Sequence, residues 1–248
     1  MKSKFFNNFL FCLSFLSIIP IEQKVDKSRC DTKVPIYFFI FVGLLLGLIT
    51  AALTKLSGLF LDSNLTALSA VFFLALITGG FHLDGVADTF DAALSWRDRD
   101  RKLEIMKDSR IGTMGALALI FIILFKVMSL SNLGGDIFTA IILAPAWGRL
   151  MSLTALTFFP LAKDKGLATS SFFDTDLNYF FLSVGITLIS SMFFIGVSII
   201  PVSIIVISSS LIFTLILSKI FCGLTGDTYG AVTEFSELML ILSLCFIY

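Results

Sequence analysis

Three aspartates with helical spacing form the first candidate site in this sequence. In the run HLDGVADTFDAA, Asp84, Asp88 and Asp91 stand at positions i, i+4 and i+7, which places three carboxylates on one stripe of a helix. Like charges in that arrangement repel each other, and a divalent cation relieves the repulsion. Because every donor is an oxygen, the favoured ions are Mg²⁺, Mn²⁺ and Ca²⁺. The alternative is a solvated acidic helix end that Asp84 caps.

A second run, WRDRDRKLEIMKDSRIG, alternates cations with acids. In it Lys107, Ser109 and Arg110 surround Asp108. Cations beside metal-binding carboxylates suit a phosphate or pyrophosphate ligand, so we predict that these three residues bind phosphate and that Asp108 joins the metal ligands. For the earlier part of the run, Trp96 to Lys102, a salt-bridged exposed helix is the favoured interpretation.

A third run, GLTGDTYGAVTEFSE, combines glycines with three acids. Its glycines leave backbone amides around Asp227 available to an anion. Glu234 and Glu237 share one helix face at the start of an apolar block. Acids that enter lipid are costly unless they are paired or metal-bound. We therefore predict that both glutamates bind the metal and that Asp227 and Glu234 act in catalysis; two snorkelling or cytosolic glutamates are the alternative.

Two isolated groups complete the candidate site. His82, the one histidine of the chain, stands two residues before Asp84 and suits a proton shuttle, with a hydrogen-bonded structural histidine as the alternative. Arg149, in the run AWGR, lies inside an apolar block. It is predicted either to hold a phosphate, to counter the carboxylates, or to snorkel.

The elements that position these residues are apolar helices. The chain of 248 residues is 57% hydrophobic, has a mean hydropathy of +0.97 and is only 15% charged. A helix needs roughly 20 apolar residues to cross a bilayer, and a membrane β-barrel would need alternating polar residues. Six strong apolar blocks and a shorter seventh run near Val34 to Leu53, Leu65 to Phe81, Thr113 to Leu130, Ile137 to Phe159, Leu177 to Ile200, Val202 to Ile220 and Val232 to Tyr248.

These blocks predict an all-α, polytopic transmembrane bundle of six to seven spans, forming one catalytic domain over residues 1–248. Phe5 to Pro20 is expected to form an interfacial helix, since no cleavage signature marks it as a signal peptide. Pro201 is expected to mark the turn between the fifth and sixth helices. With the N-terminal arm in the cytoplasm, most of the 18 Lys and Arg residues fall on the cytoplasmic side, together with the acidic runs.

Composition also limits the partners. A net charge of +0 suggests no nucleic-acid partner. The four cysteines show no paired spacing that would indicate a zinc site or a disulfide framework.

The three acidic runs, in this order and with apolar blocks between them, resemble the adenosylcobinamide-GDP ribazoletransferase family, also called cobalamin-5′-phosphate synthase. The run AWGR, followed by Phe158, Phe159 and Pro160, is similar to the mid-chain helix of that family. Two features differ from the family pattern. The segment before Pro20 reads LSII where a basic pair of the Thr-Arg type is expected, and no Phe-Pro precedes Val42 and Gly43. Both differences concern local substrate contacts.

The resemblance implies an Mg²⁺-dependent transferase of the inner membrane with its active site on the cytoplasmic side. A hydroxyl of α-ribazole or its 5′-phosphate would attack the β-phosphorus of adenosylcobinamide-GDP and release GMP. Under this hypothesis Asp84, Asp88 and Asp91 hold Mg²⁺, and Asp227, Glu234 or Glu237 completes the metal set or serves as base. The partners are then the corrinoid-GDP, α-ribazole or its phosphate, and membrane lipid; the sequence leaves homo-oligomerisation open.

Two other functions compete with this one. A CDP-alcohol phosphotransferase would carry a D-G-x-x-A-R run, and DGVAD fits it poorly. An ion-coupled transporter would place acids in the middle of its helices, whereas the acids here cluster at helix ends.

Overall fold

The computed structural model describes residues 4–26, 30–31, 33–162 and 173–247, and these residues form an all-α fold, as the apolar blocks predict. The helices are α1 (Lys4–Leu16), α2 (Phe38–Ser57), α3 (Ser63–Thr78), α4 (Phe81–Ala93), α5 (Arg99–Ile105), α6 (Thr113–Asn132), α7 (Ile137–Phe158), α8 (Leu177–Ile195), α9 (Ile199–Phe221) and α10 (Gly226–Cys245). Short 3₁₀ turns cover Glu22–Lys24, Gly134–Asp136 and Gly196–Ser198. Two residues of extended chain, β1 (Val34–Pro35), pair in parallel with β2 (Phe173–Asp174).

The described helices that are long and apolar enough to cross a bilayer do not confirm the predicted number of spans. By length and composition, four helical stretches of the described chain can cross a bilayer: Phe38–Ser57, Thr113–Asn132, Gly134–Phe158 and Leu177–Phe221. The helices α3 and α4 qualify as a fifth span only when they are taken together, and they meet at an angle of 93°. At 13 residues, α4 is too short to cross by itself. The predicted six to seven spans are therefore not confirmed.

The stretch Leu177–Phe221 folds back on itself. Near its start, the ring of Phe180 packs 5.0 Å from the ring of Phe158, and just beyond its end Leu224 pairs with Leu161. Both ends of the 45-residue stretch thus lie beside the end of α7, although straight helix of that length would extend about 67 Å. The reversal occurs at Gly196, where φ is +54°, and not at Pro201. That proline lies in the first turn of α9, where it disturbs no helical hydrogen bond.

Helix α7 forms the centre of the bundle, because small residues let its neighbours approach its backbone. A Cβ added at Gly47 of α2 would lie 2.5 Å from the carbonyl oxygen of Ile142. A Cβ added at Gly148 of α7 would lie 2.9 Å from the carbonyl oxygen of Thr233 in α10. Close packing through small residues is how helices associate in lipid. It fixes the positions of α2 and α10 against α7.

Candidate active site between α4 and α10

Two glycines bring the first and third acidic runs together. A Cβ at Gly85 of α4 would lie 2.6 Å from the carbonyl oxygen of Asp227. A Cβ at Gly230 of α10 would lie 3.2 Å from the carbonyl oxygen of His82. The backbones of α4 and α10 therefore touch at the level of Asp84 and Asp227, although 142 residues of sequence separate Gly85 from Asp227 (227 − 85).

The start of α10 is defined by its own sequence. The hydroxyl of Thr225 accepts a hydrogen bond from the backbone N–H of Thr228, and the Thr228 hydroxyl in turn accepts one from the Thr225 N–H. This reciprocal cap begins the helix and places Asp227 in its first turn. A carboxylate at that position is favoured by the helix dipole.

The carboxylates of the junction interact strongly. Burial, together with the charges of Asp84, Asp227 and Asp91, raises the pKa of Asp88 to about 7. Burial and the charge of Asp84 also raise the pKa of Asp227. Both shifts have the sign expected for like charges held close together in partly dehydrated surroundings. A cation bound between these carboxylates would instead lower their pKa values, because its positive charge favours the ionised form.

Asp84 and Asp88 face a cavity of about 540 Å³. A cavity of this size lies within the range of small-molecule sites in proteins. Ser109 lines the same cavity, so the second acidic run reaches the site. The remaining walls come from the end of α1, the turn between α3 and α4, and the start of α6.

The side chain of Asp91 contacts the start of α6. Its two carboxylate oxygens accept hydrogen bonds from the backbone N–H groups of Gly112 and Gly115, at 2.6 and 2.8 Å. These amides belong to the first turn of α6, which lacks a side-chain cap of its own. Asp91 therefore caps α6 from α4. The role of Asp91 as a metal ligand with Asp84 and Asp88 stays a prediction.

The loop that follows α5 lies at the edge of the cavity. Asp108 accepts two side-chain hydrogen bonds from Arg110, and this bidentate pair lowers the pKa of Asp108 to about 2. The carboxylate of Asp108 is thus paired with Arg110, and its predicted membership of the metal set stays a prediction. Arg110 and Lys107 remain beside Ser109 on the exposed loop, where they are positioned to meet a phosphate.

The two glutamates of the third run lie away from the acidic junction. Glu234 and Glu237 are buried, and Lys126 of α6 donates to both of them, at 2.5 and 2.7 Å. Arg149 of α7 donates to the other oxygen of Glu237 at 2.5 Å. We call these four residues the buried ion cluster.

The buried ion cluster bears on three predictions. Glu234 stands seven residues after Asp227, which places it about 10 Å further along α10. Glu234 and Glu237 are paired with cations here, and their roles as metal ligands, with that of Glu234 in catalysis, stay predictions. Arg149 contacts Glu237, as expected if it counters the carboxylates, and its binding of a phosphate stays a prediction.

His82 is also removed from the cavity surface. Its side chain is buried, its ring packs 5.5 Å from the ring of Phe81, and its backbone contacts Gly230. It does not appear among the residues that line the cavity. The structure therefore supports the packing role for His82 and not the proton shuttle.

Three acids at the junction of α4 and α10 could hold a metal ion: Asp84, Asp88 and Asp227. Within the described ranges, no three His, Cys, Asp or Glu side chains stand close enough to enclose an ion. Mg²⁺ does not need such a cage, because it keeps several water ligands and is commonly held by one or two carboxylates and a phosphate. Two cavity-facing carboxylates with a third beside them fit that requirement, and their mutual repulsion favours a cation.

Comparison with known proteins decides the family. The model of the family described as cobalamin-5-phosphate synthase matches residues 8–245. The chain belongs to this family. It is 36% identical to the adenosylcobinamide-GDP ribazoletransferase of Roseiflexus sp. (strain RS-1), covering 94% of this chain and 87% of the relative. It is also 36% identical to the protein of the same name from Clostridium botulinum (strain Langeland), over 98% and 99% of the two chains.

A third relative of that name, from Escherichia coli O7:K1, is 35% identical over 94% of this chain and 96% of its own. No solved structure matches the chain. Membership of the cobalamin-5-phosphate synthase family agrees with the resemblance carried by the three acidic runs. It also means that the chain is a transferase with several helices suited to a membrane.

Proposed function

We propose that this member of the cobalamin-5-phosphate synthase family joins α-ribazole, or its 5′-phosphate, to the corrinoid of adenosylcobinamide-GDP and releases GMP. The observation that carries the proposal is the junction of α4 and α10, where Asp84 and Asp88 face a cavity of about 540 Å³ and Asp227 lies beside Asp84. The full-length similarity to adenosylcobinamide-GDP ribazoletransferases supports the choice of substrates.

In the proposed reaction the acceptor hydroxyl forms a bond to the β-phosphorus as the bond between this phosphorus and the oxygen bridging to the α-phosphate breaks. GMP leaves with the electron pair of the broken bond. The hydroxyl proton needs an acceptor, and we propose Asp227, which lies beside Asp84 where α10 meets α4. The buried Glu234 and Glu237 are not proposed for this step.

We propose Mg²⁺ as the cofactor, held by Asp84 and Asp88 with Asp227 beside them. When bound, the ion would supply positive charge to the pyrophosphate. The chain's own residues have separate tasks: Asp84 and Asp88 orient the ion, and Lys107, Ser109 and Arg110 contact the phosphate oxygens from the neighbouring loop. Asp91 keeps the start of α6 in place behind the two ligands.

The proposed location is the inner membrane, with the site open to the cytoplasm. The distribution of Lys and Arg supports this orientation by the positive-inside rule. Asp84, Asp88 and Asp227 all lie at one helix junction, as a one-sided enzyme requires. An ion-coupled transporter would line a path across the bundle with acids that are free to bind ions, whereas the deeper acids, Glu234 and Glu237, are paired with Lys126 and Arg149.

The test uses the full chain purified in lipid nanodiscs with adenosylcobinamide-GDP, α-ribazole and Mg²⁺. GMP and the corrinoid product should form in equal amounts, and EDTA should stop both until Mg²⁺ is restored. Asp84→Ala should abolish turnover, whereas Asp136→Ala, a change at an exposed acid in the turn before α7, should leave it intact. Wild-type rates in Asp84→Ala, or GMP release without a corrinoid product, would contradict the proposal.

A further inference from the structure

Apolar and partly aromatic side chains line the cavity together with the acids. They are Phe15 near the end of α1, Ile18 after it, Phe81 at the start of α4, and Ile111 and Leu119 before and within α6. We call these five residues the apolar wall. Phe15 and Phe81 are 38% and 52% exposed, so ring surface is left for a ligand. The cavity thus combines carboxylates with hydrocarbon.

The apolar wall is held in place by contacts of the backbone and of the rings. The N–H of Ile18 donates to the carbonyl oxygen of Ile77 at 2.9 Å, which ties the segment after α1 to the end of α3. Gly79 adopts φ +64°, and the side chain of Ile18 occupies the space where a Cβ would stand. The wall therefore does not need a ligand to form.

The two aromatic rings of the wall also support each other. The ring of Phe15 meets the edge of the Phe81 ring at 5.9 Å and 70° and lies 6.2 Å from the ring of Phe39 at 29°. Edge-to-face and offset pairs of this kind are the favoured aromatic geometries. Because Phe39 belongs to α2, the position of Phe15 is set by the body of the bundle and not only by α1.

We infer that the apolar wall binds the planar base of the nucleoside acceptor by stacking and hydrophobic contact while its ribose hydroxyl faces Asp84 and Asp88. The inference rests on the proposed function and adds a binding site for one of the two substrates. The corrin ring with its side chains is much larger than the cavity, so the smaller substrate is the one that fits inside. A bicyclic aromatic base presents a flat apolar surface to the rings of Phe15 and Phe81, and stacking on aromatic side chains is the general way in which proteins hold bases.

The other candidate occupant is a lipid acyl chain, since the protein lies in a membrane. Two carboxylates in the same cavity make it unfavourable for a hydrocarbon chain, because each would lose hydration without gaining a partner. A nucleoside satisfies both kinds of lining, as its hydroxyl groups can donate to carboxylates and its base can contact the rings.

The first experiment measures steady-state kinetics in nanodiscs. Phe15→Ala and Phe81→Ala should each raise the KM for α-ribazole at least about fivefold, since losing a stacking partner weakens base binding by that much or more. In both variants the kcat and the KM for adenosylcobinamide-GDP should stay within about twofold of the wild-type values. Phe81→Tyr keeps an aromatic ring and should show the wild-type KM for α-ribazole. The control is Phe193→Ala, which removes an exposed ring of α8 outside the cavity.

A second measurement separates this inference from the proposed function. Binding of free 5,6-dimethylbenzimidazole to the purified chain is followed by equilibrium dialysis, which needs no catalysis. Weaker binding in Phe15→Ala than in Phe193→Ala would support the apolar wall even if no transfer is detected. A wild type that transfers, together with unchanged KM and unchanged base binding in both wall variants, would overturn the inference and leave the function standing. Equal increases in the KM for α-ribazole and in the KM for adenosylcobinamide-GDP would also overturn the inference.

Discussion

Gly85 of α4 lies so close to Asp227 of α10 that a single Cβ would stand 2.6 Å from the Asp227 carbonyl oxygen. This contact joins two acidic runs that are far apart in the sequence. The glycine is required by the approach of a neighbouring backbone and not by its own torsion angles, since it is not among the positive-φ glycines.

Gly85→Ala should therefore lower activity sharply, because a backbone carbonyl cannot move aside as a flexible side chain can. We expect the kcat to fall by more than tenfold, as a misplacement near 1 Å at a reacting centre costs on the order of 100-fold. The matched control is Gly185→Ala in α8, where an added Cβ has no neighbour within 4 Å. The rate of GMP release is measured for both variants, and equal rates would refute the importance of the contact between Gly85 and Asp227.

The buried ion cluster should matter for stability and not for metal binding. Lys126→Met leaves Glu234 with no cation and Glu237 with Arg149 alone, and breaking a buried pair typically costs about 3–5 kcal/mol. Thermal unfolding in detergent should show a large drop, while Lys55→Met, at an exposed lysine of α2, should not.

A double variant gives a second test of whether the buried ion cluster acts in stability and not in metal binding. Adding Glu234→Gln to Lys126→Met removes one uncompensated charge and should recover part of the lost stability. The Mg²⁺ concentration for half-maximal activity should be the same in every folded member of the series. A shift of that concentration in Glu234→Gln alone would instead return Glu234 to the metal site.

Asp91 should behave as a helix cap. Asp91→Ala should destabilise the protein by about 0.5–2 kcal/mol, the usual cost of losing an N-cap. Asp91→Asn keeps one oxygen acceptor and should lose less. Both should retain measurable GMP release under conditions in which Asp84→Ala has none. If Asp91→Asn is as inactive as Asp84→Ala, Asp91 must be counted among the ligands after all.

Arg110 should affect substrate binding without affecting stability. Its ion pair with Asp108 is exposed, and exposed pairs contribute little to folding. Arg110→Gln should raise the KM for adenosylcobinamide-GDP severalfold and leave the thermal midpoint unchanged. Arg101→Gln breaks a comparable exposed pair with Glu104 and serves as the control. Similar KM values in the two variants would argue that the loop does not hold the phosphate.

The apolar blocks locate the helices and the acidic runs locate the carboxylates, but neither shows which groups these carboxylates contact. Hydropathy gives helices because backbone groups in lipid must pair within their own segment, and α6 and α7 begin at the predicted residues. The sequence does not reveal the reversal near Gly196, because Pro201, five residues further on, is the more obvious helix breaker, yet proline is tolerated in a first helical turn.

The sequence does not show the partners of Glu234 and Glu237, for a physical reason. Their cations lie on other helices, 108 and 88 residues away in sequence, and only the packed bundle shows the pairing. One signal was present: Lys126 and Arg149 are two cations inside apolar blocks, equal in number to the two glutamates. Charge balance among buried residues would have favoured an internal pairing over a metal.

The buried ion cluster also bears on biosynthesis. Lys126 and Arg149 leave the ribosome well before their counter-ions, which belong to the last helix of the described chain. Until that helix inserts, two cations remain inside the membrane domain without acidic partners, a state that is costly in lipid. A nascent chain that stops short of Gly226 therefore carries two buried cations without their counter-ions.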